Sequence, residues 1–142
     1  MTNKETNKET NKETNKETNK ETARIETKGI HHDSINVDDV EAALGFYVNT
    51  LNLQTLPRPD LGFPGAWLKA GDQEIHLLGI HSGEPLKEQH FAFAVADAES
   101  IRSSLVQAGF SPSEIRDIPN ICRQFFAHDP SGNMVEFNQR LS

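Results

Sequence analysis

Residues 89–95 are Gln-His-Phe-Ala-Phe-Ala-Val, and this stretch decides the fold class. Large apolar side chains alternate with small ones, which is the period-two pattern of a strand with one buried face. Phe91, Phe93 and Val95 share the face that would pack against a helix. His90 shares the opposite face with two alanines, so that face has room for a ligand. We therefore expect His90 to be a candidate for chemistry.

The same design occurs earlier in the chain, at residues 30–37, where His32 begins the polar face of an alternating strand. Valine and aspartate follow both histidines at equal distances: Val37 and Asp39 after His32, and Val95 and Asp97 after His90. Internal similarity of this kind indicates a duplicated unit.

The sequence pattern of each half predicts one strand, one helix and then three further strands. Asp39 and Asp97 each precede a run of apolar residues at helical spacing, and Gly109 ends the second run. Alternation and turn residues predict the other strands at 53–56, 66–69, 74–78, 115–118, 121–128 and 133–138. The predicted fold class is α+β, with two βαβββ modules.

The first 28 residues differ sharply in composition from the rest. Five copies of Thr-Asn-Lys-Glu fill residues 2–21, with no apolar side chain among them. Such a segment cannot bury enough surface to offset its ordering entropy, so we expect a disordered tail over residues 1–28. One domain is expected at 29–142, with modules at 29–79 and 88–140.

The charge balance narrows the range of partners. The repeats contribute equal numbers of lysines and glutamates, so the net charge of −7 belongs to the remaining residues. An acidic domain without a basic stripe is a poor partner for nucleic acid. No apolar run approaches the roughly 20 residues that span a bilayer, and no secretory leader is evident. We expect a soluble, cytoplasmic protein without nucleic-acid or membrane partners.

Strand parity places four metal-competent side chains on the faces turned away from the helices: His32, His76, His90 and Glu136. If both apolar faces pack on helices, we expect these four side chains to converge inside one cupped sheet. Imidazole and carboxylate ligands suit divalent iron, manganese, cobalt, nickel or zinc. Cys122 is the only cysteine, which excludes a cluster of thiolate ligands.

Three further residues are candidates for substrate binding. Trp67 and Phe63 could form the aromatic wall of a cavity or belong to the core. Arg123 could bind an anionic group of the substrate or lie exposed on its strand.

Several motifs resemble the vicinal oxygen chelate superfamily, which includes glyoxalase I, bleomycin resistance proteins and extradiol dioxygenases. They are Ile30-His31-His32 with Val37 and Asp39, Gly45-Phe46-Tyr47, Ile75-His76-Leu77, His90-Phe91-Ala92-Phe93 with Val95, and Asp129-Pro130-Ser131-Gly132-Asn133 with Glu136. The resemblance implies an open eight-stranded cupped sheet around a divalent metal. It implies metal ligands at His32, His90 and Glu136, with a fourth at His76. Many relatives dimerise and build each cup from two chains, so a homodimer is expected.

The leading functional hypothesis is a metal-dependent lyase or isomerase of the glyoxalase type, acting on a small substrate with vicinal oxygens. Glu136, or His76 if it is not a ligand, would move the proton. One alternative is an Fe(II)-dependent dioxygenase, which Phe126 disfavours because the family's dioxygenases have a tyrosine in the seventh strand. The other is a non-catalytic protein that sequesters an antibiotic. Asp33 departs from the family pattern, since it occupies a helix-facing position where an apolar residue is typical.

Overall fold

The computed structural model describes residues 24–141, so the Thr-Asn-Lys-Glu repeats lie outside the described residues. The chain forms two βαβββ modules, which confirms the predicted fold class. The first module contains β1 (His32–Asn36), helix α1 (Val40–Leu44) with a helical continuation at Gly45–Thr50, β2 (Gln54–Leu56), β3 (Gly65–Ala70) and β4 (Gln73–Leu78). The second contains β5 (His90–Ala94), α2 (Ala98–Gln107), β6 (Arg116–Ile118), β7 (Cys122–His128) and β8 (Met134–Arg140).

The two sheets have the same topology. Their strand orders are β1-β4-β3-β2 and β5-β8-β7-β6, and the first strand of each module pairs in parallel with the fourth. The register also repeats, because Ser34 lies opposite His76 in one sheet and Ala92 lies opposite Glu136 in the other. The predicted internal duplication is therefore present in the strand pairing.

One face of each sheet packs on the module's helix and carries the core. Leu68 and Leu77 are fully buried in the first module, as are Phe125 and Val135 in the second. The opposite face of each sheet is here called the helix-free face. His32 and His90 lie on it in the outermost strands and are exposed.

The helix caps agree with the sequence, but the first helix differs in its winding. Asp39 accepts a hydrogen bond from the backbone of Ala42, and Asp97 caps α2 in the same way. From Gly45 to Thr50 the helix widens into π-helical turns. The wider turn reduces the rotation per residue, so the adjacent Phe46 and Tyr47 both face the core and are fully buried. No helix within residues 24–141 has the length and apolar composition needed to cross a membrane.

A buried hydrogen-bond network joins the two modules. The Tyr47 hydroxyl donates to the Asp129 carboxylate at 2.8 Å, and Asp129 also accepts from the backbone amides of Ser131 and Asn133. The side-chain amide of Asn133 donates to Asp129 and, across the junction, to the carbonyl of Asn36. Burial, followed by the charge of Asp129, raises the pKa of Tyr47 well above its ordinary value. This network fixes how one module sits against the other.

Candidate metal-binding and catalytic site

The second module brings His90 and Glu136 together on its helix-free face. The two residues lie on neighbouring strands, β5 and β8, and His90 Nε2 is 3.2 Å from Glu136 Oε1. The other carboxylate oxygen of Glu136 accepts a hydrogen bond from the Asn138 side chain at 2.8 Å. Glu136 is 9% exposed, so this carboxylate is held in one orientation by its neighbours.

The backbone before His90 determines which ring nitrogen of His90 carries the hydrogen. Glu88 has a left-handed φ of 66°, and its carbonyl accepts a hydrogen bond from His90 Nδ1 at 2.8 Å. A carbonyl can only accept, so Nδ1 carries the hydrogen and Nε2 faces the Glu136 carboxylate. At 3.2 Å these two atoms are within hydrogen-bond distance, and they also have the spacing of two adjacent ligands of one metal ion.

The first module builds a stack of three rings on its helix-free face. His76 packs in parallel on His32, with ring centroids 4.0 Å apart, and on Trp67 from the other side at 4.6 Å. His76 is 8% exposed as a result. The stack fixes the imidazole plane of His76 and leaves the more exposed His32 ring at its outer edge.

Each imidazole in this stack also has a polar partner. His76 Nε2 donates to Glu74 Oε1 at 2.8 Å, and this hydrogen bond lowers the pKa of Glu74. His32 Nδ1 lies 2.8 Å from His31 Nδ1, so one of these two nitrogens donates to the other. The unshared nitrogens are Nδ1 of His76 and Nε2 of His32, and these are the atoms available to bind a metal or move a proton.

The two pairs do not form one cluster within a single chain. Among residues 24–141, no three histidine, cysteine, aspartate or glutamate side chains lie close enough together to hold an ion. The expected convergence of all four ligands is therefore not found in the monomer. The physical reason is that the modules join through their helix sides, where Tyr47 bonds Asp129 and Phe46 meets Phe110 at 5.0 Å.

The three candidate substrate-binding residues lie in different places. Trp67 lies on the helix-free face against His76, and Phe63 lies beneath the Arg58 guanidinium in the loop before β3. Arg123 lies on the helix side of β7, where it hydrogen-bonds Asp117 and Glu99. Those bonds raise the pKa of Arg123 and occupy its guanidinium. The structure therefore gives no support to Arg123 as a substrate-binding residue.

Four residues that contact the candidate ligands were not predicted to do so: His31, Glu74, Glu88 and Asn138. Period-two parity could have identified Glu74 and Asn138, because each lies two residues from a candidate ligand on the same strand face. The role of Glu88 depends on its carbonyl and its left-handed backbone, and neither leaves a signal in side-chain chemistry. Asp33 lies on the helix side of β1, and burial raises its pKa.

Comparison with known proteins places the chain in a family. The model of the Glyoxalase/Bleomycin resistance protein/Dioxygenase superfamily matches residues 29–137. The uncharacterised protein YwbC of Bacillus subtilis is 31% identical over 125 residues, which is 80% of this chain and 98% of YwbC. The protein named Glyoxylase I 4 from Arabidopsis thaliana is 28% identical over 118 residues, covering 75% of this chain and 68% of that protein.

Solved structures agree with this assignment. A glyoxalase-family protein from Bacillus anthracis has a TM-score of 0.75 and 29% identity, covering 83% of this chain and 99% of its own. The antibiotic-binding protein TnmS3 from a Streptomyces species (TM-score 0.70, 22% identity, 82% and 99% coverage) and a lactoylglutathione lyase from Agrobacterium tumefaciens (0.66, 20%, 80% and 95%) share the fold. The chain belongs to the Glyoxalase/Bleomycin resistance protein/Dioxygenase superfamily.

Proposed function

We propose that the protein is a divalent-metal-dependent enzyme of the glyoxalase type, with lyase or isomerase chemistry on a small substrate that has vicinal oxygens. The observation that carries the proposal is the approach of His90 Nε2 to Glu136 Oε1 at 3.2 Å, with the opposite ring nitrogen bonded to a carbonyl. Two ligands of one ion with bonds of about 2.1 Å lie about 3 Å apart when they are adjacent. This spacing supports the second module as the source of half of a coordination sphere.

The donor set suits a first-row divalent ion. His32, His76, His90 and Glu136 offer three imidazoles and one carboxylate, the combination that iron, manganese, cobalt, nickel and zinc accept. Both pairs have outer partners, Glu88 and Asn138 in one module and Glu74 in the other. Such partners are typical of metal ligands because they fix the ring or carboxylate before the ion binds.

We further propose that a second copy of the chain completes each site. Because each module carries two ligands and the pairs are separate in one chain, a twofold dimer can place the first module of one copy against the second module of the other. That arrangement creates two identical four-ligand sites. It also covers His32 and His90, which are exposed in the monomer.

In such a site the metal ion and the side chains would have different chemical roles. A bound divalent ion would supply Lewis-acid stabilisation of the oxyanion that develops on the substrate. The remaining task is proton transfer, for which Glu136 and His76 are the candidates. Glu74 orients the His76 ring, so a proton accepted at Nδ1 is balanced by a carboxylate at Nε2. Trp67 would form the aromatic wall for the substrate.

Two alternatives make different use of the same face. An Fe(II)-dependent dioxygenase would use the same ligands, but the ring edge-on to His90 at 5.3 Å is Phe126, which cannot donate a proton. A small-molecule binding protein would use the aromatic face without metal. The fold shared with TnmS3 supports that alternative, and the preformed His90–Glu136 pair argues against it.

Elemental analysis of the purified protein tests the proposal. We expect stoichiometric divalent metal in the parent protein, loss of the metal in His90→Ala, and retention in His128→Ala, which removes an exposed imidazole at the end of β7. A panel of substrates with vicinal oxygens should show turnover that chelation abolishes and the native metal restores. Metal-free protein with tight binding of a small molecule in both variants would favour the sequestering function instead.

A further inference from the structure

A cleft of about 630 Å³ separates the two modules where β1 and β5 run past each other. Both strands are the outermost in their sheets, and no backbone hydrogen bond joins them in the described part of the chain. The cleft therefore lies between two unpaired strand edges. We refer to it as the intermodule cleft; its walls include Ile30, Leu51, Leu53, Phe91, Phe93 and Phe137.

The carboxylate of Asp33 is the anomalous group in this apolar surface. By position after the first histidine, Asp33 is the equivalent of Phe91, which follows His90 in the second module. Asp33 lines the cleft and makes no side-chain hydrogen bond within residues 24–141. A half-buried carboxylate without a partner costs stability, so the fold itself does not explain why this position carries an acid.

The charges around the cleft have one sign. Asp33 and Glu74 are both among the lining residues, the other ionisable side chain there is the His32 imidazole, and the described lining contains no lysine or arginine. An apolar wall with an acidic end complements a molecule that has an apolar body and a positively charged nitrogen. The charge would exclude an anion of the same shape.

We propose that the intermodule cleft is a second binding site, selective for a lipophilic ammonium compound whose nitrogen pairs with Asp33. The apolar body lies between the strand edges of β1 and β5, against Phe91 and Phe93. The pairing with Asp33 needs no metal ion, and the test below includes a chelator because the cleft borders His32, a proposed metal ligand.

Titration of the full chain at pH 7 with n-octylammonium, n-octanol and octanoate, followed by amide NMR shifts, tests the proposal. We expect octylammonium to shift the amides of Phe91, Ala92 and Phe93, and to bind at least about tenfold more tightly than octanol. Octanoate should bind most weakly. The pattern should be the same with and without a chelator, which separates this result from any outcome on the metal site.

Asp33→Asn, which keeps the shape of the side chain, should reduce octylammonium binding to the level of octanol and leave octanol binding unchanged. Asp72→Asn removes one exposed charge from the same module and should change neither. Equal binding of the ammonium and the alcohol to the parent chain, or undiminished ammonium binding by Asp33→Asn, would overturn the proposal. Unshifted cleft amides, as expected if residues 1–23 or a second copy fill the cleft, would overturn it as well.

Discussion

The two modules have the same strand pairing, yet they hold their candidate ligands by different means. In the first module His76 is fixed by ring stacking between His32 and Trp67 and by a hydrogen bond to Glu74. In the second, Glu136 is fixed by hydrogen bonds with His90 and Asn138. The two modules thus carry their candidate ligands at equivalent strand positions but support them with different contacts.

This difference indicates which of the two pairs already has its atoms placed for binding a metal ion. His90 and Glu136 already present two ligand atoms at the spacing of adjacent ligands, whereas the Nε2 atom of His76 is committed to Glu74. We therefore expect the second module to contribute more to metal affinity, and the first to contribute more to proton transfer.

The largest expected effect concerns the turns that are equivalent in the two modules. Asp129 in the β7–β8 turn is 4% exposed and accepts four hydrogen bonds, so Asp129→Ala should lower the free energy of unfolding by about 3 kcal/mol. Asp72→Ala alters the exposed β3–β4 turn and should change it by less than about 0.5 kcal/mol. Denaturant unfolding of both variants measures the contrast, and equal losses would contradict the assignment of Asp129 to the module junction.

The next effect is on metal affinity. His90→Ala should weaken metal binding by more than about 100-fold, because it removes a ligand atom that is already in place. His76→Ala should weaken it by about tenfold, because its Nε2 atom bonds Glu74 and only Nδ1 is available. Competition with a chromophoric chelator measures both constants. A larger loss in His76→Ala than in His90→Ala would reverse our ranking of the modules.

The role of Glu74 predicts a smaller effect, on turnover. Glu74→Gln should slow turnover measured at saturating metal by about tenfold, whereas Glu41→Gln, on the exposed side of α1, should leave this turnover unchanged. The hydrogen bond from His76 lowers the pKa of Glu74, so this bond stabilises the fold above the ordinary value of 4.5, and its contribution is lost as pH falls below that value. The parent should therefore lose more stability on acidification than Glu74→Gln. Unchanged turnover of Glu74→Gln at saturating metal would contradict this role of Glu74.

The smallest effect tests the contrast between Asp33 and its equivalent, Phe91. Asp33→Leu should raise the free energy of unfolding at pH 7 by about 1 kcal/mol, because the half-buried carboxylate is replaced by an apolar side chain. Burial raises the pKa of Asp33, so the stability that its protonated form provides is lost as pH rises through that raised value. The gain from leucine should thus be larger at pH 7 than at pH 3 in thermal unfolding. No gain at pH 7 would contradict the interpretation of Asp33 as a half-buried carboxylate without a partner.

Local features were predictable because short-range physics determines them. Period-two alternation located the strands, Asp39 and Asp97 identified the helix starts, and strand parity placed the four candidate ligands on the helix-free faces: His32, His76, His90 and Glu136. The π-helical turns at Gly45–Thr50 were not predictable, because the same apolar residues satisfy an ordinary helical spacing. Strand parity also places Arg123 on the helix side of β7, opposite to the face of Phe126. This placement was available from the sequence, and it argues against Arg123 as a residue of the helix-free face.

The position of one residue pair relative to the other could not be predicted from the sequence, for a different reason. Whether the four ligands meet depends on how one module packs on the other, and buried contacts such as Tyr47 with Asp129 decide that packing. Those contacts join residues 82 positions apart, and the periodicity of the strands and helices does not predict them.

The central claim is that a complete site takes its two ligand pairs from two copies of the chain. Mixing His32→Ala with His90→Ala, after dissociation and reassembly, tests it by metal content. Each mixed dimer would have one site with both substitutions and one intact site, so random assembly should restore about one quarter of the parent's metal. Mixing His90→Ala with Glu136→Ala, both in the second module, should restore none. Absence of recovery in the first mixture, with dimer exchange verified, would contradict the shared site.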